Sequence, residues 1–204
     1  MNQIVYLRAM NDPSLAPCVV FVDLQKEHIA VPRLMTVPEA AEPLSRCRSV
    51  LCHARAMGFP VAHVRQVSRA PYFNPATDFS DWISGFEPFG TDMVFDRNKP
   101  SCYSNGQFAE LMESCGGHFV IAGFAGETAC LSTAIDAYHR NHRFTYLHDA
   151  SASHRLGSIA AAKVQESVTQ IIGVYGKILT TNSWINATSH LAEMPEGNVN
   201  EQRT

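Results

Sequence analysis

A thiol beside the predicted start of a helix is the side chain of this chain best placed for chemistry. Residues 123–130 read GFAGETAC, and the apolar spacing that follows predicts a helix over 128–140, with Cys130 in its first turn. Unpaired N–H groups and the positive end of the helix macrodipole favour a thiolate at such a position. The same amides could stabilise an oxyanion, so the pattern favours catalysis by a cysteine nucleophile.

A carboxylate forms the second candidate group. Asp23 ends the run CVVFVD (18–23), a continuous apolar stretch typical of a buried parallel strand. Ligands of parallel sheets bind beyond the carboxyl ends of the strands. We therefore expect Asp23, the 97–103 segment and the loop after Gly123 to meet at one edge of a sheet.

Strands that alternate with helices must position these groups. The long stretch 68–95 shows no clear periodicity, Asn141 is expected to cap a helix in the left-handed conformation, and the polar tail 193–204 is expected to fray. The remaining pattern predicts strands over 18–23, 60–67, 118–122, 144–148 and 178–181, and helices over 38–57, 105–115, 128–140 and 158–172.

This alternation predicts an α/β fold, a three-layer αβα arrangement with a mostly parallel central sheet. The chain has 204 residues, of which 46% are hydrophobic and 17% charged, and no linker or repeat divides it. We expect one domain over residues 1–204 with a sizeable core.

Composition also limits the classes of partner and the cellular compartment that we expect for this protein. A net charge of −3 provides no basic field for nucleic acid, and no apolar run reaches the roughly 18 residues of a membrane span. The amino-terminal segment lacks the pattern of a secretory signal, and the six cysteines include no CxxC pair or zinc spacing. A reduced cytoplasmic protein that acts on a small molecule is the expectation.

Four segments together resemble the isochorismatase-like (cysteine hydrolase) family over residues 18–181. They are FVDLQ (21–25), SCY (101–103), AGFAGETACLSTAIDA (122–137) and HDASASH (148–154). The resemblance implies a parallel sheet flanked by helices, a dimer or tetramer, and a catalytic Asp, Lys and Cys without an organic cofactor. In that set the Asp takes the thiol proton, the Lys supports the developing charge and the Cys attacks an amide carbon.

Only one residue of the family's catalytic set has an unambiguous counterpart in this chain. Asp23 matches directly, whereas the cation is either Lys99, preferred for its chemistry, or Arg97, which has the family's spacing. The family's Cys column falls on Ala129, and Cys130 lies one place later, about 100° further around a helix. Three interpretations stay open: a rewound loop presents Cys130, Cys130 is a core thiol, or Ala129 marks a lost or deliberately replaced nucleophile.

Other site features follow from the same resemblance. The family's oxyanion site contains a non-proline cis peptide, which corresponds here to Ala125–Gly126, and Gln25, His28 and Tyr103 are expected to line the substrate pocket. Nicotinamidase relatives bind a metal through an Asp-x-His pair after the second strand. This chain has only His63 there, so no metal is predicted.

Three functions are consistent with these residues. The first is an amidase-type hydrolase of a small amide or ureido compound, which forms a thioester on Cys130. The second is a cysteine-independent vinyl-ether hydrolase with Asp23 as the acid, as in some isochorismatases. The third is a family scaffold that has lost catalysis and serves in binding or assembly.

Overall fold

A sheet of six parallel strands organises the computed structural model of the chain, which describes residues 17–189. In space the strands follow the order β3-β2-β1-β4-β5-β6. The central strand β1 is fully buried because both of its faces are covered by helices, which explains its continuous apolar sequence. The strands are β1 (Cys18–Val22), β2 (Val61–Gln66), β3 (Met93–Arg97), β4 (His118–Gly123), β5 (Arg143–Ser151) and β6 (Lys177–Leu179).

Within residues 17–189, five α-helices cover the two faces of the sheet. They are α1 (Ala41–Met57), α2 (Gly106–Ser114), α3 (Leu131–His139), α4 (Ala161–Tyr175) and α5 (Thr181–Ser189). Helices α1 and α5 enclose one apolar core, and α2, α3 and α4 enclose the other. The predicted three-layer α/β fold is thus confirmed, and every helix within residues 17–189 is too short or too polar to cross a bilayer.

Local signals set several helix boundaries. Gly58 ends α1 at φ 69° and donates its N–H to the Ala54 and Arg55 carbonyls. Asn105 begins α2, where its side chain accepts from the N–H of Phe108. The left-handed conformation predicted at Asn141 is confirmed, with φ 57°.

The structure also contains elements that the sequence pattern did not predict. Strand β3 begins within the aperiodic stretch 68–95 and ends just beyond it. One residue separates the end of β6 from the start of helix α5. A π-helical turn, Gly126–Cys130, precedes α3 within the predicted helix 128–140. The predicted tail 193–204 lies outside the described residues.

The order of the strands creates a switch point at β1. The chain moves outward from β1 to β2 and β3, then returns to the other side of β1 as β4. In open parallel sheets a crevice forms beyond the carboxyl ends at such a point. Asp23 follows β1, Arg97 ends β3 and the π turn follows β4, so all three candidate segments reach this edge.

Gly123 lies at this edge, where β4 packs most closely against β1. Its φ is 118°, and a Cβ atom built there would lie 2.1 Å from the carbonyl oxygen of Val22. Only glycine can adopt this backbone conformation and this close approach together.

We expect Gly123→Ala to lower the free energy of unfolding by about 2–4 kcal/mol, because backbone strain and steric overlap add. Gly90→Ala is the matched control, since Gly90 also has positive φ (63°) but nothing within 4 Å of its added Cβ. Its cost should be only about 1 kcal/mol. Urea unfolding measures both variants, and equal losses would contradict the role of the close packing.

Candidate active site

A buried ion pair between Asp23 and Arg97 lies at the carboxyl edge of the sheet. Arg97 Nη2 donates to Asp23 Oδ2, and the two side chains are 1% and 2% exposed. Strand β2 separates the strands that carry them, so the guanidinium reaches across the end of β2. A second Arg97 nitrogen, Nη1, donates to the Lys99 carbonyl at 2.6 Å and helps fix the side chain.

The surroundings of Asp23 favour a protonatable carboxyl group. Burial raises its pKa to about 6, although the positive charge of Arg97 and the nearby Gln66 backbone lower it. The second carboxyl oxygen, Oδ1, is buried without a hydrogen-bond partner. Asp23 also has a φ of 49°, and non-glycine residues in the left-handed region recur at functional sites.

Arg97, and not Lys99, supplies the cation beside Asp23. The Lys99 side chain is exposed, and only its backbone carbonyl takes part in the arrangement. The expectation that Lys99 would be the site cation is therefore corrected. The physical reason is that Arg97 is the last residue of β3 and is held at the sheet edge, whereas Lys99 lies beyond the strand.

The non-proline cis peptide joins Phe124 and Ala125, one residue before the predicted Ala125–Gly126 bond. After it, the N–H groups of Thr128, Ala129 and Cys130 all point to the Ala125 carbonyl, which is the hydrogen-bond pattern of the π turn. Gly126 donates to the Ala152 carbonyl at 2.8 Å. The Gly126 N–H is thus already engaged and is not free to stabilise an oxyanion.

Cys130 has the opposite properties to those of an activated nucleophile. It is fully buried in the core beneath α3, and its thiol points to the Gly123 carbonyl at 3.8 Å. Burial, followed by the neighbouring Cys102 and Asp23, raises the pKa of this thiol well above its usual value. The predicted bias toward thiolate is therefore wrong, and the interpretation of Cys130 as a core thiol agrees with this geometry. Ala129 is also buried, at 1% exposure.

Two predicted pocket residues have structural contacts instead. Gln25 donates to the carbonyls of Gln66 and Ser80 and accepts from the Gln66 N–H, so its amide ties the loop after β1 to the end of β2. Tyr103 packs in the core against Phe108, and its hydroxyl bonds to His142. His142 immediately precedes β5, at the amino ends of the strands, so Tyr103 extends away from Asp23.

His28 belongs to a cluster at the same edge as Asp23. The carbonyl of Met35 accepts from His28 Nδ1 and from His154 Nε2, each at 3.0 Å. The other nitrogen of His154 bonds to Glu127 Oε1 at 2.7 Å, and the His28 ring packs edge-on against Phe124. Sequence reasoning missed the pair of Glu127 and His154, because residues so far apart in the chain show no common spacing.

The cluster holds one charged and one neutral histidine. Both nitrogens of His154 face acceptors, so the ring is an imidazolium. Burial lowers the pKa of His154, but its hydrogen bond to Glu127 and the charge of that carboxylate outweigh burial and raise it overall. For His28, burial and the nearby charge of His154 lower the pKa to about 3.

His63 bonds to Asp92, an acidic residue that lies far from it in the sequence. Its Nε2 bonds to Asp92 Oδ2 at 3.1 Å, and Arg55 pairs with the same oxygen. A carboxylate oxygen that already accepts from a guanidinium and an imidazole is a poor metal ligand. Within residues 17–189, no group of three or more His, Cys, Asp or Glu side chains could hold a metal ion.

A groove of about 1300 Å³ opens beside Arg97. Polar side chains from four segments line it together with Arg97, among them Ser68, Asn74, Asn98 and Asn105. The ion pair is thus buried but lies next to an open, polar approach.

The family model described as the Isochorismatase domain matches residues 17–183. The chain belongs to this family. The resemblance inferred from the four motifs is thus confirmed. A separate comparison with curated proteins gives no match.

Solved structures support the same fold for this isochorismatase-family chain. An isochorismatase from Pseudomonas putida KT2440 is 23% identical, with a TM-score of 0.77 over 84% of this chain and 91% of that one. A cysteine hydrolase from Pseudomonas syringae pv. phaseolicola 1448A is 20% identical, with a TM-score of 0.79 over 88% and 95%. An N-carbamoylsarcosine amidase from Thermoplasma acidophilum is 22% identical, with a TM-score of 0.67 over 82% and 97%. At these identities the likeness establishes the fold.

We expect iodoacetamide at neutral pH to alkylate Cys52 at least about 100-fold faster than Cys130 in the folded protein, because only accessible thiolates react. Cys52 is the internal control, since it is exposed on α1 whereas Cys130 is fully buried. Peptide mass spectrometry measures both alkylation rates. Unfolding the protein in guanidinium chloride should make the two rates equal. Faster labelling of Cys130 than of Cys52 in the folded protein would restore it as a nucleophile.

Proposed function

We propose that this isochorismatase-family chain is a cysteine-independent hydrolase of a small vinyl ether, with Asp23 as the general acid. The observation that carries the proposal is the state of Asp23: one oxygen pairs with Arg97, the other is unpartnered, and the pKa is raised to about 6. A carboxyl group of this kind holds a proton that it can donate near neutral pH.

The chemistry needs only this acid and water. The Asp23 proton is transferred to the terminal carbon of the vinyl ether, and the C–C π electrons form the new C–H bond. Water adds to the resulting oxocarbenium ion and loses a proton, which restores Asp23. The hemiacetal or hemiketal then collapses to a carbonyl compound and an alcohol. None of the three steps of this scheme uses a metal or an organic cofactor.

Arg97 has two roles in this scheme. Its guanidinium keeps Oδ2 occupied, so the proton resides on Oδ1, and it stabilises the carboxylate that remains after proton transfer. When Asp23 is protonated, the charge of Arg97 lacks its balancing anion. An anionic group on the substrate would compensate for that charge, which favours acidic enol ethers that approach from the groove beside Arg97.

The amidase hypothesis has less support from the same residues. It needs a thiolate within reach of Asp23, whereas the Cys130 thiol is buried with a raised pKa and Ala129 occupies the family's cysteine column. It is retained as the alternative outcome of the tests. The predictions of a dimer or tetramer, of cytoplasmic location and of one domain over residues 1–204 stay predictions.

We expect hydrolysis of isochorismate, an acidic vinyl ether, to lose about tenfold in kcat/KM for each pH unit above about 6, because only protonated Asp23 is the acid. Pyruvate release, coupled to lactate dehydrogenase, measures the rate. Asp23→Asn should lower it at least about 100-fold, since a general acid typically contributes that much.

Cys130→Ser is the matched variant and should stay within about twofold of the parent, because a core thiol takes no part in the reaction. Circular dichroism checks that each variant is folded. Loss of activity in Cys130→Ser together with amide hydrolysis by the parent would support the amidase alternative. No turnover of either bond class would favour a scaffold.

A further inference from the structure

We infer that His28 is a specificity-determining residue of the Asp23 site, whose Nε2 atom accepts a hydrogen bond from an N–H or O–H group of the ligand. The inference rests on the proposed function only in taking the sheet edge around Asp23 as the place where a small molecule binds. It adds a property of that molecule, a hydrogen-bond donor, which the reaction itself does not require.

The tautomer of His28 follows from its partner. A carbonyl oxygen can only accept, so the Nδ1 atom that bonds to Met35 at 3.0 Å carries the proton. Burial and the positive charge of His154 keep the ring neutral at physiological pH, with a pKa of about 3. The lone pair therefore lies on Nε2, which makes His28 a hydrogen-bond acceptor only.

That acceptor has no partner among the described residues. His28 is 2% exposed, and its Nε2 atom is buried without a hydrogen bond. Buried polar atoms in native proteins are rarely left unpaired, and an exception calls for a ligand or a water molecule. Asp23 Oδ1 and Arg97 Nε are also buried and unpaired, so three orphaned atoms belong to side chains of one sheet edge.

Several contacts place His28 beside the ion pair. His28 ends the short helical turn Lys26–His28 that follows Asp23, and its N–H bonds to the Gln25 carbonyl. Its ring lies 5.7 Å from that of Phe124, whose N–H bonds to Val22 next to Asp23. The charge of Arg97 also acts on the ring and contributes to its low pKa.

The orphaned Nε2 atom of His28 defines one group that would bind there. It needs a hydrogen-bond donor, which a hydroxyl group or an amide can supply. Aromatic rings of Phe73 and Phe124 contact the His28 ring at 5.0 and 5.7 Å. A small unsaturated hydroxy compound suits this environment, whereas an ether oxygen in the same place would face the Nε2 lone pair and be repelled.

Phenol and anisole form a matched pair of probes, because they share a ring and only phenol has a donor. Titration of protein labelled with ¹⁵N-histidine, at millimolar probe, follows the two nitrogens of His28 by NMR. We expect the ¹⁵N chemical shift of His28 Nε2 to be that of an unprotonated nitrogen in the free protein. This chemical shift should decrease when phenol is added and stay unchanged with anisole. We also expect phenol to bind about tenfold more tightly, the usual difference for one hydrogen bond.

Two variants separate this contact from general packing. His28→Phe keeps an aromatic ring but removes the acceptor, so phenol affinity should fall about tenfold to that of anisole. Tyr103→Phe removes a hydroxyl at the opposite edge of the sheet and should change neither affinity. If His28→Phe does not fold, the titration of the parent protein still decides the inference.

The inference is overturned if phenol and anisole bind alike, if neither binds, or if phenol leaves the His28 signals unchanged. A protonated Nε2 in the free protein would overturn it as well. These outcomes are independent of isochorismate turnover, so the proposed reaction can fail while His28 still selects a donor, and the reverse can also occur.

Discussion

The buried pairing of Asp23 with Arg97 is the interaction on which the carboxyl edge of this sheet depends. Removing either partner would leave a buried charge that the protein interior cannot solvate, a loss of about 3–5 kcal/mol. The two side chains come from strands that are not neighbours, so the end of β2 must lie where the guanidinium can cross it. Gln25 fixes that geometry, because its side-chain amide donates to the Gln66 carbonyl and accepts from the Gln66 N–H.

Burial has opposite consequences for the acid and the thiol of this site. For Asp23 the raised pKa, about 6, keeps a larger fraction of the carboxyl groups protonated near neutral pH than the ordinary value would. For Cys130 the same effect suppresses the thiolate that nucleophilic attack requires. Desolvation at this edge therefore favours the protonated form of both groups, which suits the acid of the proposed reaction and does not suit a thiol nucleophile.

The sequence was informative wherever burial dictates residue type. The apolar run of β1 could be assigned as a central strand because both of its faces are covered, and Asp23 could be placed at the sheet edge from the end of that run. Strand β3 was missed because it is an edge strand whose buried and exposed residues alternate over only a few positions. Lys99 was preferred for its chemistry, whereas the position of Arg97 at the end of β3 places its guanidinium, and not the Lys99 side chain, beside Asp23.

The register at the π turn shows why the remaining part of the site could not be read from the sequence. Whether residue 129 or residue 130 faces Asp23 depends on how the chain leaves β4. That path follows the three N–H groups of Thr128, Ala129 and Cys130, which share the Ala125 carbonyl. This hydrogen-bond pattern has no local sequence signal, since glycine, alanine and glutamate allow many turns. In this structure the turn directs the Cys130 thiol to the Gly123 carbonyl within the apolar core, so the helix start buries the thiol rather than freeing it for attack.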